Sequence, residues 1–224
     1  MSDDSFIREV DEELRSDRMQ DAWKKYGKIV IAVAVSIVLA TGGYRYYQYY
    51  TKSQANSAGD QFIKAIELSD NGDREAAIKA LENLSEASAP SYAALSRLRL
   101  AAEKAAGGDF KAALADYDKV AANNEIEQSY RDIANLRAGL MMVDQGSLSD
   151  VVSRVEGLSG PGAPFRHTAR EALGLAYWKA RELDASAKLF QSISVDAEAP
   201  AAQRGRANLM LDMIAADGGP ARTN

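Results

Sequence analysis

The heptapeptide GDREAAI at residues 72–78 returns as GDFKAAL at residues 108–114, so that the glycine, the aspartate and both alanines recur 36 residues later. In each copy the glycine suits the left-handed conformation that ends a helix, and the aspartate can cap the free amide groups of the next helix. Alanine and aliphatic residues then follow at helical spacing. Each copy therefore predicts a turn between two antiparallel helices.

The same period extends along the chain. Gly146 and Arg181 lie 38 and 35 residues after the turns that precede them, and each opens a further stretch with apolar residues at helical spacing. Helix breakers separate these stretches, and the alternation typical of β-strands is nearly absent. A fixed period of this length predicts stacked repeats. We therefore expect an all-α fold in which residues 57–216 form a solenoid of about four helix pairs.

The repeated units resemble the tetratricopeptide repeat family, whose unit has about 34 residues and a small residue in the middle of its first helix. The small residues at this position are Ala65, Ala101, Gly139 and Gly174. The fourth unit resembles the family best, with Tyr177 before its turn and Phe190 after it. The tryptophan typical of the family is replaced by Gln61, Arg97, Asn135 and Arg170. The resemblance implies a repeat domain that binds other proteins.

Residues 29–44 form a long uncharged apolar stretch, IVIAVAVSIVLATGGY. A helix needs roughly 20 residues to cross a bilayer, and residues 26–46 supply them if Lys28 and Arg45 extend toward the headgroups. Aromatic residues border both ends, as is typical of membrane interfaces. The sequence therefore predicts a transmembrane helix at residues 26–46 that contacts the lipid bilayer and serves as an uncleaved signal anchor.

Basic residues flank this predicted span unequally. The N-terminal side has Lys24, Lys25 and Lys28, whereas Arg45 and Lys52 follow the span. The more basic side of a membrane protein stays in the cytoplasm. We therefore expect a single-pass membrane protein with a cytoplasmic N-terminus and its C-terminal domain on the other side of the membrane.

Three shorter segments complete the predicted organisation. Residues 1–25 are expected to be cytoplasmic and to contain a short amphipathic helix. Residues 47–56 are expected to form a juxtamembrane linker, and residues 217–224 a flexible tail. The apolar face of the short N-terminal helix would consist of Phe6, Val10 and Leu14.

One face of the predicted transmembrane helix carries small residues four positions apart. These are Ala32, Ser36 and Ala40. Such spacing lets two membrane helices approach closely, so this face is a candidate contact for a partner helix. The alternative is that small residues are common in any membrane span and mark no specific contact.

The arrangement of the whole chain resembles the bacterial ancillary SecYEG translocon subunit family. The resemblance rests on an acid-rich N-terminus, the motif WKKYGK at residues 23–28, one span and four degenerate repeats. It implies a scaffold of the bacterial inner membrane with a periplasmic C-terminal domain. Such a scaffold assists secreted or membrane proteins at the SecYEG translocon, with periplasmic chaperones or unfolded polypeptide as further partners. A second hypothesis is a structural assembly protein, either a homo-oligomer or a division-related envelope scaffold, without a client polypeptide. The sequence leaves the oligomeric state open.

The composition argues against catalysis and against nucleic-acid binding. The net charge is −5, and no basic cluster of the kind that binds nucleic acids is present. Because the chain has no cysteine and a single histidine, His167, we expect no metal site. His167 lacks a positioned partner in the sequence, so we expect a surface residue at a helix start and not a catalytic base. The sequence therefore predicts neither an enzyme nor a cofactor.

A second set of apolar residues lies on the first helix of each unit. In a tetratricopeptide register these residues approach the concave face, where they would form a candidate groove for a peptide. The alternative is that they fill the core between adjacent helices, as apolar stripes at helical spacing usually do. The candidate groove consists of Phe62, Ile66, Leu95, Leu98, Ile133, Leu136, Leu140, Val143, Leu175 and Trp178.

Overall fold

The computed structural model describes the backbone of residues 3–87 and 90–220. Side chains are described from Met19 onward, except at residues 20–22, 30, 87, 90 and 91. No β-strand occurs in these ranges, and the all-α prediction is confirmed. A short 3-10 helix, Glu156–Leu158, follows the sixth α-helix. The α-helices are α1 (Asp3–Asp70), α2 (Arg74–Ala87), α3 (Pro90–Ala106), α4 (Phe110–Ala121), α5 (Gln128–Gln145), α6 (Leu148–Val155), α7 (Arg166–Lys179), α8 (Leu183–Ser194) and α9 (Ala201–Ala216).

The chain divides into two compact units, residues 1–54 and 55–224, and α1 contributes residues to both. The first unit holds the apolar stretch, which belongs to a helical segment long and apolar enough to cross a membrane. The large apolar side chains of this stretch are exposed. The exposed fraction is 69% for Val38 and 70% for Leu39. The predicted amphipathic face lies on side chains outside the described part: Phe6, Val10 and Leu14.

The predicted linker at residues 47–56 is helical in the structure, since α1 passes through it without interruption. This stretch contains neither glycine nor proline, so no residue in it would end a helix. The segment boundaries proposed at residues 25, 46 and 56 therefore coincide with no break in secondary structure. Of the predicted tail, residues 221–224 lie outside the described range.

The second unit consists of successive helix pairs. The C-terminal part of α1 pairs with α2, α3 with α4, α5 with α6 and α7 with α8, and α9 packs against α8. Four clusters of buried apolar side chains follow one another along this series, each shared by neighbouring helices. Helix pairs that contact mainly their neighbours define a solenoid. The predicted solenoid of about four helix pairs is confirmed, and α9 is an additional terminal helix.

The turns between paired helices use the chemistry that the sequence predicts. Gly72 and Gly108 have φ angles of 87° and 88°, the left-handed conformation that ends α1 and α3. Asp73 accepts a hydrogen bond of 3.2 Å from the amide of Ala76. Asp109 caps α4 in the same way, with 3.0 Å to the amide of Ala112. The third turn differs, because Ser147 and Asp150 form a reciprocal capping box at the start of α6.

The small residue of each first helix is required by close contact with the second. Ala65 and Ala101 are fully buried. A Cβ atom on Gly139 would collide with Val155, and one on Gly174 would lie 2.7 Å from the ring of Phe190. Both neighbours are fully buried and cannot move aside cheaply. The periodic small residue therefore sets how closely the paired helices approach.

Candidate functional site

The structure brings three residues of the candidate groove together and leaves the others in separate surroundings. Three of them line one cavity: Val143, Leu175 and Trp178. Four others belong to buried clusters or pack against them: Phe62, Leu98, Leu136 and Leu140. The remaining three are partly buried: Ile66, Leu95 and Ile133. This cavity shows open space beside three residues of the candidate groove.

This cavity, called the Trp178 cavity below, is lined by residues of α5, α7 and the turn after α7. Its volume is about 380 Å³, within the roughly 300–1,000 Å³ typical of ligand pockets. Apolar side chains supply part of the wall. The rest of the lining is charged, and no sequence pattern predicts that these side chains line a cavity: Asp144, Lys179 and Arg181.

Lys179 joins the two helices that border the cavity. Its Nζ donates hydrogen bonds of 3.0 Å and 2.9 Å to the backbone oxygens of Val143 and Asp144. These carbonyls belong to the last turn of α5, where no further helical amide is available to bond them. An ammonium group also complements the negative end of the helix dipole. Lys179 therefore fixes the C-terminus of α5 against α7.

Trp178 is held by a polar contact at one edge and by apolar contacts on its body. Its indole Nε1 donates a hydrogen bond of 2.9 Å to Oδ2 of Asp217, the residue that follows α9. The body of the ring packs against the buried cluster that includes Phe190 and Ile214. A tryptophan held at both ends presents a defined apolar surface. The indole is thus oriented before any partner arrives.

Arg181 occupies the turn after α7 in a strained backbone conformation. Its φ angle is 65°. Within the described range, Arg181 is the one non-glycine residue with a positive φ angle. Two earlier turns have glycine at the corresponding place, Gly72 and Gly108. An arginine there costs about 1 kcal/mol that glycine would avoid. Its side chain, 65% exposed, pairs with Asp217 at 3.1 Å. Strain of this kind is often found beside functional surfaces.

A charged network connects the first two helix pairs, and no local sequence pattern predicts it. Glu103 is 5% exposed. It accepts a hydrogen bond of 2.6 Å from Ser69 and forms an ion pair of 2.7 Å with Arg99. Asp116, 4% exposed, pairs with Lys104 at 2.8 Å. Every carboxylate here has cationic partners, so the network is structural. It fixes neighbouring repeats in register.

The same network changes the ionisation of Lys104. Burial acts to lower the pKa of its ammonium group. Hydrogen bonds to Asp116 and Glu82, together with the charges of both carboxylates, outweigh burial and raise the pKa above its ordinary value of 10.5. The cation is therefore stabilised by its partners throughout the physiological pH range.

His167 is buried, and the prediction of a surface residue is wrong. It lies next to the first residue of α7, as expected, but its exposed fraction is 8%. Asp196, in the loop before α9, covers the imidazole and bonds its Nε2 at 2.8 Å. That hydrogen bond is the main cause that lowers the pKa of the Asp196 carboxyl, with a further contribution from the amide of Glu198. The partner comes from 29 residues away, so local sequence could not show it.

The described residues contain no group of three or more acidic, histidine or cysteine side chains that could hold a metal ion. The titratable groups named above pair with partners inside the fold. The lining of the Trp178 cavity offers an apolar wall of Val143, Leu175 and Trp178 beside charged side chains.

In the first unit, the three predicted small residues share one face of α1. Ser36 Oγ donates a hydrogen bond of 2.8 Å to the backbone oxygen of Ala32, which satisfies the hydroxyl within its own helix. Larger aliphatic residues flank this face, and together they leave a shallow groove lined by Lys28, Ile29, Ala32, Val33, Ser36, Ile37 and Ala40. Contact of this face with another membrane helix stays a prediction.

Comparison with known proteins agrees with the repeat architecture. A family model described as a tetratricopeptide repeat-like domain matches residues 20–192, which include the apolar stretch and the helices up to α8. No curated protein and no solved structure matches the chain significantly. The family match covers more than half of the chain and coincides with the observed helix pairs. The chain therefore belongs to the tetratricopeptide repeat-like family.

Proposed function

We propose that this protein is a membrane-anchored scaffold that binds polypeptide segments through the Trp178 cavity. Its task would be to assist secreted or membrane proteins at the SecYEG translocon, together with periplasmic chaperones. The Trp178 cavity is the observation that carries the proposal. It offers open space beside an indole that a hydrogen bond orients, and Arg181, in a strained turn, lies at its rim. Tetratricopeptide-like domains commonly bind proteins and are typically not enzymes.

The chemistry of the cavity favours one apolar side chain of a partner, placed against Trp178, Leu175 and Val143. Burying such a side chain contributes about 1.5–3 kcal/mol. The partner backbone would then lie beside the charged rim, where Arg181 is exposed. A single anchor of this size gives weak binding with fast release. That behaviour suits a protein that handles segments in transit.

The membrane anchor is the second part of the proposal. The exposed apolar side chains of α1 and the aromatic residues on both sides of them support a span at residues 26–46. The family match extends over this stretch as well as the repeats. We infer an inner-membrane protein with residues 1–25 in the cytoplasm and the repeat domain, residues 57–216, in the periplasm. Residues 47–56 would connect them, and residues 217–224 would end the chain.

Site-specific photo-crosslinking in intact cells tests the proposed partners. The chain has no cysteine, so an Arg181→Cys variant labelled with a benzophenone maleimide carries its probe at the cavity rim alone. Lys111→Cys is the matched control, because Lys111 is an exposed basic residue near the start of α4, away from the cavity. We expect adducts with translocon subunits, periplasmic chaperones or secreted polypeptides from position 181 and not from position 111. An identical set of adducts from both positions would overturn the proposal.

A further inference from the structure

A smaller cavity adjoins the Trp178 cavity. It is called the Leu148 cavity below, and it lies between the turn that joins α5 to α6 and the end of α7. Its volume is about 200 Å³. A cavity of about 150 Å³ can hold a benzene molecule, so the Leu148 cavity has room for one apolar side chain. The residues that line it and do not line the Trp178 cavity include Ser147, Leu148, Val151, Ala176 and Ala180.

The Leu148 cavity offers a largely apolar wall that is open to solvent. Val151 and Ala176 are buried, whereas Ser147 and Ala180 are exposed and lie at its mouth. The hydroxyl of Ser147 is already used in the capping box of α6, where it bonds Asp150 at 2.7 Å. An apolar side chain that enters from solvent therefore meets carbon atoms and leaves that hydroxyl with its partner.

Lys179 separates the two cavities. Both cavities are lined by Lys179 and Val143, so these two residues lie at the boundary. The side chain of Lys179 begins on α7, and its Nζ is held at the last turn of α5 by two hydrogen bonds. Because the side chain is fixed at both ends, its aliphatic stem forms a ridge with one cavity on each side. Such a stem presents carbon atoms along its length and charge only at its tip.

The width of this ridge determines how far apart two side chains in the two cavities lie. Apolar atoms in contact are about 4.0–4.5 Å apart, so side chains on either side of one stem are separated by roughly 8 Å. In an extended chain, residues i and i+2 point to the same face and are about 6.6–6.8 Å apart. Adjacent residues point to opposite faces, and residues i and i+4 of a helix are only about 5–6 Å apart at Cβ. The alternate residues of an extended segment therefore match the ridge best.

We propose that the two cavities together bind an extended polypeptide segment that carries apolar side chains at positions i and i+2, one on each side of Lys179. The inference rests on the proposed function and specifies its substrate. The preferred segments have alternating apolar residues, the pattern of an amphipathic β-strand that has not yet folded. The residue between the two apolar ones points away from the surface, so it can be polar or charged.

Fluorescence titration with short peptides tests this spacing. The protein is the full chain with Trp23→Phe in mild detergent, so that Trp178 reports on its own cavity. The probes are nonapeptides of serine, alanine and lysine with one leucine, or with two leucines that are adjacent, two positions apart or four positions apart. The two-leucine peptides have the same composition, so their partitioning into detergent is matched. We expect leucines two positions apart to give binding at least about tenfold tighter than any other probe, because both leucines are then buried.

Three variants locate the second leucine. Ala180→Asp places a charge at the mouth of the Leu148 cavity and should reduce the affinity of the best peptide to that of the single-leucine peptide. Ala106→Asp is the matched control, because Ala106 is another exposed alanine at the end of a first helix and is not among the residues that line either cavity. Lys179→Ala removes the ridge and should abolish the preference for one spacing.

The outcomes separate this inference from the proposed function. A saturable response to the single-leucine peptide, with equal affinities for all spacings, would overturn the inference and leave the proposed function standing. Tightest binding with leucines four positions apart would indicate a helical partner and would also overturn it. If Ala180→Asp and Ala106→Asp lower the affinity equally, the Leu148 cavity does not hold the second leucine. No response to any peptide would contradict both proposals.

Discussion

The indole Nε1 of Trp178 donates a hydrogen bond of 2.9 Å to Oδ2 of Asp217, so the cavity residue of α7 is held by the end of α9. Arg181 bonds the same oxygen at 3.1 Å. One carboxylate thus fixes both the apolar anchor and the charged rim of the Trp178 cavity. The shape of the cavity consequently depends on the helix that ends the solenoid.

Replacing Asp217 should loosen Trp178. In a Trp23→Phe background, in which Trp178 is the remaining tryptophan, Asp217→Ala removes the acceptor and should lower the free energy of unfolding by about 1 kcal/mol. The emission maximum of the folded protein should shift to longer wavelength. Asp217→Asn is the control, because its amide oxygen can still accept the bond. Unchanged emission in Asp217→Ala would contradict the assigned role.

The strain at Arg181 can be measured by comparing two substitutions that remove the same ion pair. Arg181→Gly removes the strain of the left-handed backbone conformation, whereas Arg181→Ala keeps that strain. We expect the glycine variant to be more stable than the alanine variant by about 1 kcal/mol in urea unfolding. Equal stabilities would show that the turn relaxes without strain.

Two glycines inside helices should respond to alanine in opposite directions. Gly174→Ala places a methyl group 2.7 Å from the ring of Phe190, which is fully buried, and should cost about 1–3 kcal/mol. Gly205→Ala meets open space and should stabilise the fold by about 0.5–1 kcal/mol. Thermal unfolding of both variants measures the difference. The same sign for both would contradict the described packing of α7 against α8.

The contact between Asp196 and His167 should make stability depend on pH in the acid range. Because the folded-state pKa of Asp196 lies below its ordinary value of 3.8, its ionised form stabilises the fold above that pH. This contribution is lost as the pH falls through the lower, folded-state pKa. The difference in melting temperature between the parent and Asp196→Asn should therefore be largest near neutral pH and shrink below about pH 3.8. A difference that stays constant down to pH 2 would exclude this role.

The proposed topology predicts where an exposed residue can be labelled. Lys111→Cys places a thiol on an exposed position of the repeat domain. A membrane-impermeant maleimide should label it in intact spheroplasts. Labelling that requires lysis would place the repeat domain in the cytoplasm and reverse the predicted orientation.

Local chemistry explains why much of the fold was predictable. Two turns are determined by residues that are adjacent in the sequence, so the sequence alone predicts these turns. The residues are Gly72 with Asp73 and Gly108 with Asp109. Arg181 was found at a turn through the repeat period, although its own residue type does not favour the conformation it adopts. The small residues at the centre of the first helices followed from the resemblance to the tetratricopeptide repeat family.

Contacts over long sequence distances were not predictable. Asp217 lies 39 residues from Trp178 and carries no signal that links the two. His167 is buried by Asp196, which follows it by 29 residues. Helix α9 was not predicted as a separate helix for a different reason, because apolar residues lie on both of its sides. Leu211 and Ile214 are buried, whereas Leu209 and Met213 are exposed. Without a single apolar stripe, the helical period is weak.

Fluorescence of Trp178 is the most direct test of the central claim that its cavity binds polypeptide. The full chain with Trp23→Phe, in mild detergent, is titrated with a reduced and carboxymethylated model polypeptide that cannot fold. The account predicts a saturable shift of the emission to shorter wavelength, weakened by Val143→Asp in the cavity and kept by Val195→Asp outside it. An emission that does not change at any concentration, in protein that still unfolds cooperatively, would contradict it.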